Sequence, residues 1–198
     1  MTPELTGVRA KDSQAIVTLF AGADSGLTFA KQWGELEIPA AVGGVNVIAM
    51  SREFWKGTAG KANYYATGGS AVKAPFSPKT IPFWDKFVAK FNDYPNYTVA
   101  SYNAMYILKE AIERAKSTET NAVIAELEKT DYQGLFGRVA FEKNHDMKWG
   151  KDYYQDPSVQ WIDGELVPLI YPPEEGFRTI PGAVKYQLPP RVVKFWKK

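Results

Sequence analysis

Cysteine is absent from the 198 residues, and histidine occurs once, at His145. The first absence excludes disulfide frameworks, thiolate zinc or iron–sulfur sites and a cysteine nucleophile. The second argues against a multi-histidine metal site and a Ser-His-Asp triad. No apolar run reaches the roughly 18–20 residues that span a bilayer. The opening MTPELTGVRAKDSQ has no basic stretch followed by an apolar one, so no signal peptide is visible in it. The phosphate-binding and nucleophile motifs G-x-x-x-x-G-K-[ST], G-x-G-x-x-G and G-x-S-x-G do not occur. An excess of one charge is missing too: 24 Lys and Arg stand against 22 Asp and Glu. Arg191, Lys194, Lys197 and Lys198 fall in the acid-free last eight residues, and without them 20 basic groups face 22 acidic ones. The body offers no nucleic-acid surface.

What is present suits a packed core. Hydrophobic residues make up 45% of the chain and aromatics 14%, which excludes wholesale disorder. Ala15–Phe20 (AIVTLF) reads as a strand buried on both faces, and residues 22–26 break it. A helix follows over Leu27–Leu36. A second strand over Ile38–Val42 ends at Gly43 and Gly44, then come a short helix over Ser51–Gly57 and a third strand over Asn63–Thr67. This βαβαβ order predicts a parallel sheet with right-handed crossovers.

The middle is helical. After a Gly/Pro/Ser linker at 68–80, Thr80 caps a helix with Phe83, Phe87 and Phe91 on one stripe, widened by Trp84 and Val88. Val99–Lys116 offers Val99, Tyr102, Tyr106, Ala111, Ile112 and Ala115 for burial. Thr120 caps a third helix with Val123, Ile124 and Leu127 inward. These helices have no partner within the βαβαβ piece. Strands return at Gly137–Phe141, closed by a polar turn at 143–146, and at 159–162 and 166–171 around the hairpin signal Asp163-Gly164. The proline-bearing tail from Pro172 is expected to wrap irregularly.

Two glycine-bearing loops, AGADSG (21–26) and GGVN (43–46), follow the carboxyl ends of the first two strands, where open α/β sheets bind ligands. Glycine admits close backbone approach, and a helix N-terminus presents free N–H groups. Equally, Asp24 or Ser25 would cap the helix while the glycines make tight turns. His145, in the turn KNHD, is either catalytic or a solvated turn residue. The pairs Glu35/Glu37 and Glu174/Glu175 read as surface charge, and RVVKFWKK either as a solvated terminus with an apolar anchor or as a contact for a membrane or an acidic partner.

The stretches AIVTLFAGADSGLTFAKQWGELEIPAAVGG, FWDKFVAKFNDYPNYTVASYNAMYILKEAIERAKS and TDYQGLFGRVAFEKNHDMKWG, in that order, resemble the C-terminal part of type I periplasmic substrate-binding proteins of ABC transporters, the branched-chain amino-acid (Leu/Ile/Val) binding family. The resemblance runs from about Leu5 to Pro172. It implies two α/β lobes joined by crossing strands and closing on a ligand. Residues 1–67 would be second-lobe α/β, 68–79 a linker, and 80–149 helices and a strand of the first lobe. Residues 150–172 would be a return crossover and hairpin, and 173–198 a Pro-rich basic tail. The first lobe's N-terminal sheet would be missing.

In the same resemblance Gly22 stands where the family has an aromatic, and Asn46 where it has the acid that clamps the ligand's ammonium. Tyr97 falls on an aromatic at the cleft mouth. A neutral amide at 46 forfeits a charge-assisted hydrogen bond, so amides, aromatic acids and other small carboxylates join aliphatic amino acids as ligands. The expected contacts are Gly22, Ala23, Asp24, Gly44, Asn46 and Tyr97, with no catalytic residue, metal or cofactor. The implied role is the solute-binding part of an ABC importer, partnered by its permease and located in the periplasm. A sensory ligand-binding domain of the same fold, or an α/β enzyme, is the alternative. The stripe Phe83, Phe87, Phe91 needs covering, so a dimer or swapped arrangement through 80–129 is expected.

Overall fold

A six-residue parallel ladder organises the first third of the chain. The computed structural model describes residues 2–69, 72–171 and 176–197. Ser70 and Ala71 of the linker, and Pro172, Pro173, Glu174, Glu175 and Lys198 of the tail, lie outside the described residues. Helix α1 (Thr2–Ala10), not expected from the sequence, buries Leu5. β1 (Ala15–Phe20) pairs in parallel with β2 (Ala41–Asn46), from Ala15 opposite Ala41 to Phe20 opposite Asn46. Between them runs α2 (Ala23–Glu35), with Phe29, Ala30 and Trp33 turned inward.

β1 is buried on one face only. Val17 and Leu19 are 85% and 84% exposed, while Ile16 and Phe20 pack on the core. The continuous apolar run was read as two buried faces, but only one finds a partner among the described residues. β2 runs later than predicted, so Gly43, Gly44 and Asn46 are strand residues and not a loop. A 3-10 turn (Val47–Met50) and α3 (Arg52–Gly57) follow. β3 (Ala66–Gly68) is bonded antiparallel to β6 (Ser158–Ile162), not in parallel to β2. The Thr67 hydroxyl oxygen accepts from the Asn46 N–H at 3.1 Å, so a side chain replaces a ladder bond there. β6 turns into β7 (Glu165–Pro168) through Asp163 and Gly164, with φ of 49° and 93°. That is the two-residue hairpin the Asp-Gly pair demands.

The second third is α4 (Thr80–Phe91), α5 (Thr98–Ala115) and α6 (Thr120–Leu127). On α4 it is Trp84, not the phenylalanine stripe, that is buried; Phe91 is 56% exposed. Thr80 is the first residue of that helix and hydrogen-bonds the Leu135 carbonyl. The inward face of α5 is Val99, Asn103, Ile107 and Ala111, leaving Tyr106 at its edge. Glu119, not Thr120, caps α6, its carboxylate accepting from the N–H of Asn121 and Ala122 at 3.1 and 2.9 Å. β4 (Tyr132–Gly134) pairs with β5 (Gly137–Val139).

Two cores result. One gathers Trp33, Ile38, Phe54, Tyr65 and Trp161; the other gathers Phe76, Val99, Leu135, Phe136 and Tyr154. The tail is less irregular than expected, since it forms α7 (Pro190–Trp196) and returns to the first core. Arg191 Nε donates to the Ile38 carbonyl at 3.0 Å, and Trp196 Nε1 to that of Pro39 at 2.9 Å.

Candidate functional site

Helix α2 begins at Ala23, four residues before the predicted start, directly after the end of β1. Gly22 is its N-cap in extended backbone (φ −81°, ψ 129°) and has no side chain to cap with. Neither Asp24 nor Ser25 supplies the cap; Ser25 Oγ instead donates to the Gly22 carbonyl at 3.0 Å. The opening N–H groups of a helix have no partner within it, and here the sequence leaves them open toward whatever approaches the strand ends. The helix dipole makes that end favourable to negative charge, which Asp24 in the first turn partly supplies.

Asn46, at the carboxyl end of β2, is fully buried. Its Nδ2 donates to the Gly26 carbonyl at 3.2 Å and to the Tyr65 hydroxyl at 2.9 Å. The Tyr65 hydroxyl donates in turn to Thr18 Oγ1 at 3.3 Å, and burial pushes the Tyr65 phenol up from its ordinary value. Asn46 therefore ties the first turn of α2 to the sheet. Gly44 has φ of 114°, and a Cβ there would sit 2.2 Å from the Thr18 carbonyl oxygen. That glycine is required by close approach of β1. Gly22, Ala23 and Asp24 are thus exposed just past the end of β1, while Asn46 is buried at the end of β2 with Gly44 two residues before it.

Tyr97 lies elsewhere. It precedes α5 and lines a cavity of about 590 Å³ whose walls include Ala104, Ile107, Val139 and Trp149. Two polar groups interrupt these apolar walls. Asn103 accepts at Oδ1 from the Leu135 N–H at 3.1 Å, but its Nδ2 is buried with no hydrogen-bond partner among the described residues. Asp156 likewise has a buried, unpartnered Oδ1, and burial pushes its carboxyl up to about 6. Burial, helped by the nearby Asp156, raises the Tyr154 and Tyr97 hydroxyls above their ordinary range. Sequence reasoning missed both groups. Asn103 carried a signal, a polar residue four positions from Val99 and from Ile107 on one helical stripe; Asp156 carried none.

His145 is a turn residue (φ 70°) whose Nε2 lies 3.0 Å from Glu128 Oε1. Among the described residues no group of three or more His, Asp or Glu side chains is placed to hold a metal ion.

A parallel β1–α2–β2 unit is thus in place, and residues 1–154 match the family described as periplasmic binding protein. The chain belongs to the periplasmic binding protein family. Its members bind ligands and are not enzymes.

A putative branched-chain amino acid ABC transporter protein from Silicibacter pomeroyi is similar at a TM-score of 0.74 and 15% identity, over 96% of this chain and 50% of that one. A leucine-binding protein from Thermotoga maritima gives 0.68 and 16%, over 88% and 49%. A solute-binding protein of an R. palustris ABC transporter, in complex with benzoate, gives 0.68 and 12%, over 84% and 45%. At these identities the likeness is one of fold, and the family resemblance read from the sequence holds. The chain spans about half the length of these structures. No curated protein matches it. No helix among the described residues is long and apolar enough to cross a membrane.

Proposed function

We propose that the chain is the C-terminal ligand-binding part of an ABC-importer substrate-binding protein, acting outside the cytoplasm and delivering a small polar solute to a permease. In this reading residues 1–67 belong to the second lobe and 80–149 to the first, with 68–79 and 150–172 between them. Closure of the lobes holds an amino acid, or a related amide or aromatic acid. Gly22, Ala23 and Asp24 offer backbone contacts, Gly44 and Asn46 shape the floor, and Tyr97 stands at the mouth.

The observation that carries the reading is the uncapped N-terminus of α2 at the ends of two parallel strands. Backbone N–H groups at such a place suit a carboxylate. Burial of Asn46 beneath the crevice leaves no acid on β2 to pair with an ammonium, which favours carboxylates and amides over aliphatic amino acids.

Ala23→Pro tests this directly. Gly22 already has the extended backbone that a following proline requires, and proline is tolerated at the first helical position. The substitution deletes one N–H with little cost in stability. Calorimetry with leucine, isoleucine, their amides and benzoate is expected to give a saturable ligand, weakened about tenfold in Ala23→Pro, as for loss of a charge-assisted hydrogen bond. Absence of any ligand-dependent thermal shift across the panel defeats the reading. The same reading includes a dimer or swapped arrangement through 80–129, supported by the exposure of Phe91, Met105 and Leu108, and light scattering decides it.

A further inference from the structure

Two glutamines grip the tail in the same way. Gln155 and Gln160 are both fully buried, and each side-chain amide makes the pair of bonds that a neighbouring strand would make. Gln155 Nε2 donates to the Arg178 carbonyl at 3.1 Å, and the Arg178 N–H donates back to Gln155 Oε1 at 3.0 Å. Gln160 Nε2 donates to the Gln187 carbonyl at 2.8 Å, and the Gln187 N–H donates back to Gln160 Oε1 at 3.0 Å. Each pair satisfies backbone groups whose burial without a partner costs free energy.

The two grips belong to different regions. Beside the first, Arg178 Nη2 donates to the Phe136 carbonyl at 2.7 Å, and Ile180 is buried in the second core. The chain passes from the second core to the first between Val159 and Trp161, and Gln160 stands at that passage. Its Nε2 also donates to the Tyr64 carbonyl at 2.8 Å. Beyond it Arg191 and Trp196 fasten the tail to Ile38 and Pro39. Between the grips the tail bonds once to β7, the Val184 N–H donating to the Pro168 carbonyl at 2.9 Å. A turn separates that bond from Ile180: the Ala183 N–H donates to the Ile180 carbonyl at 3.0 Å, and Gly182 has φ of 81°.

We infer that residues 178–187 are a strap across the hinge between the two regions, with the turn at 180–183 as its slack. Regions joined by short crossings move against one another unless a large apolar interface holds them. These two also meet where the Arg52 N–H donates to Asp93 Oδ1 at 3.0 Å and the Arg52 guanidinium to Asn92 Oδ1 at 3.1 Å. Those contacts are exposed and hold little, whereas the strap's amide bonds are buried. Swinging the regions apart first draws out the turn and then breaks one amide pair, so the strap sets the widest opening. It lies beyond residues 1–154, the stretch that matches the family, and its role is not carried over from that match. The inference rests on the lobe reading above only for its use, which is to keep the regions near the arrangement that closes on a ligand.

The test needs no ligand. The full 198-residue chain has no cysteine, so nitroxides at Lys31→Cys on α2 and Ala125→Cys on α6, both exposed, report the separation of the regions by pulsed EPR. A Gly/Ser insert of about twelve residues between Pro181 and Gly182 adds slack at a place where loop length costs little. A protease site within the insert allows the folded chain to be cut. The distance distribution is expected to widen in the uncut insert and to reach about twice the parent width after cutting, as for domains free to move. Should the cut tail dissociate, the uncut insert decides, because every contact in it is retained. An unchanged width in the uncut insert, or in the cut chain with its tail still bound, overturns the strap. Widening of a control pair within the first region, Lys31→Cys with Lys56→Cys, means general loosening and overturns it as well. Failure of the ligand panel above leaves these distances untouched, so the two readings stand or fall separately.

Discussion

The two cores of this chain are built to different standards. Around Tyr65 the first is closed: Trp33, Phe54 and Phe29 meet its ring edge-on at 5.9, 5.2 and 6.4 Å, and Trp161 stacks on Trp55 at 5.7 Å. Each buried indole there has its N–H satisfied, Trp33 by the Ala40 carbonyl and Trp161 by that of Ala49. The second core also seats a ring pair, Phe76 on Phe136 at 4.4 Å. Yet it leaves α5 facing a cavity and exposes Met105, Leu108 and Phe91, where the first region exposes Val17 and Leu19 on one face of β1. Each also keeps a buried polar atom unpaired, Asn46 Oδ1 in the first and Asn103 Nδ2 in the second. Aromatic content is therefore not what separates them. The closed ring cluster around Tyr65 is, because the second core turns a helix toward open space instead.

That contrast predicts a ranking. Trp161→Ala removes the ring that joins β6 to the 3-10 turn and is expected to cost about 3–5 kcal/mol in chemical denaturation. A loss under 1 kcal/mol would mean the first core is not closed. Asp156→Asn comes next, with the opposite sign. The folded carboxyl titrates at about 6, above its unfolded value, so its contribution to stability is complete below about pH 4 and is lost as pH rises through 6. Removing the charge is expected to stabilise the chain by roughly 2–3 kcal/mol above pH 7 and by almost nothing at pH 4. Thermal melts across that range check both ends, and a pH-independent effect would show Asp156 is solvated.

Ile107→Ala should cost about 2 kcal/mol, the low end for such truncations, because the side chain already borders open space. A cost near 5 would show that the cavity collapses onto it in solution. Phe91→Ser, at the exposed end of α4, should stay within about 0.5 kcal/mol. If it also halves the mass seen in light scattering, the stripe joins two copies.

Much of the first region was legible in the sequence. AIVTLF, the Asp-Gly hairpin and the helices over 80–127 announce themselves through period and turn chemistry. The errors have identifiable causes. β2 was ended at Gly43 and Gly44 because glycines usually break strands, but Gly44 is needed where Thr18 crosses within 2.2 Å of a would-be Cβ. The face of α5 expected from Tyr102 and Tyr106 differs from the observed one, which buries the polar Asn103 against the Leu135 N–H. The burial of Asn46 depends on Gly26 and Tyr65, contacts that no local pattern reveals. Asp156 was invisible because its significance is an absence of partners, and absence is a property of three dimensions.

The tail that looked like loose basic chain has a kinetic meaning. The carbonyls of Leu36 and Glu37 are held by Arg9, while those of Ile38 and Pro39 wait for Arg191 and Trp196, 153 and 157 positions later in the chain. At roughly 5–20 residues per second a ribosome takes about 8–30 s to supply them. Through that interval the turn ahead of β2 is clamped from one side only. The β1–α2–β2 unit is thus completed only after α7 has emerged, and truncating α7 should show itself as slow maturation as well as lower stability.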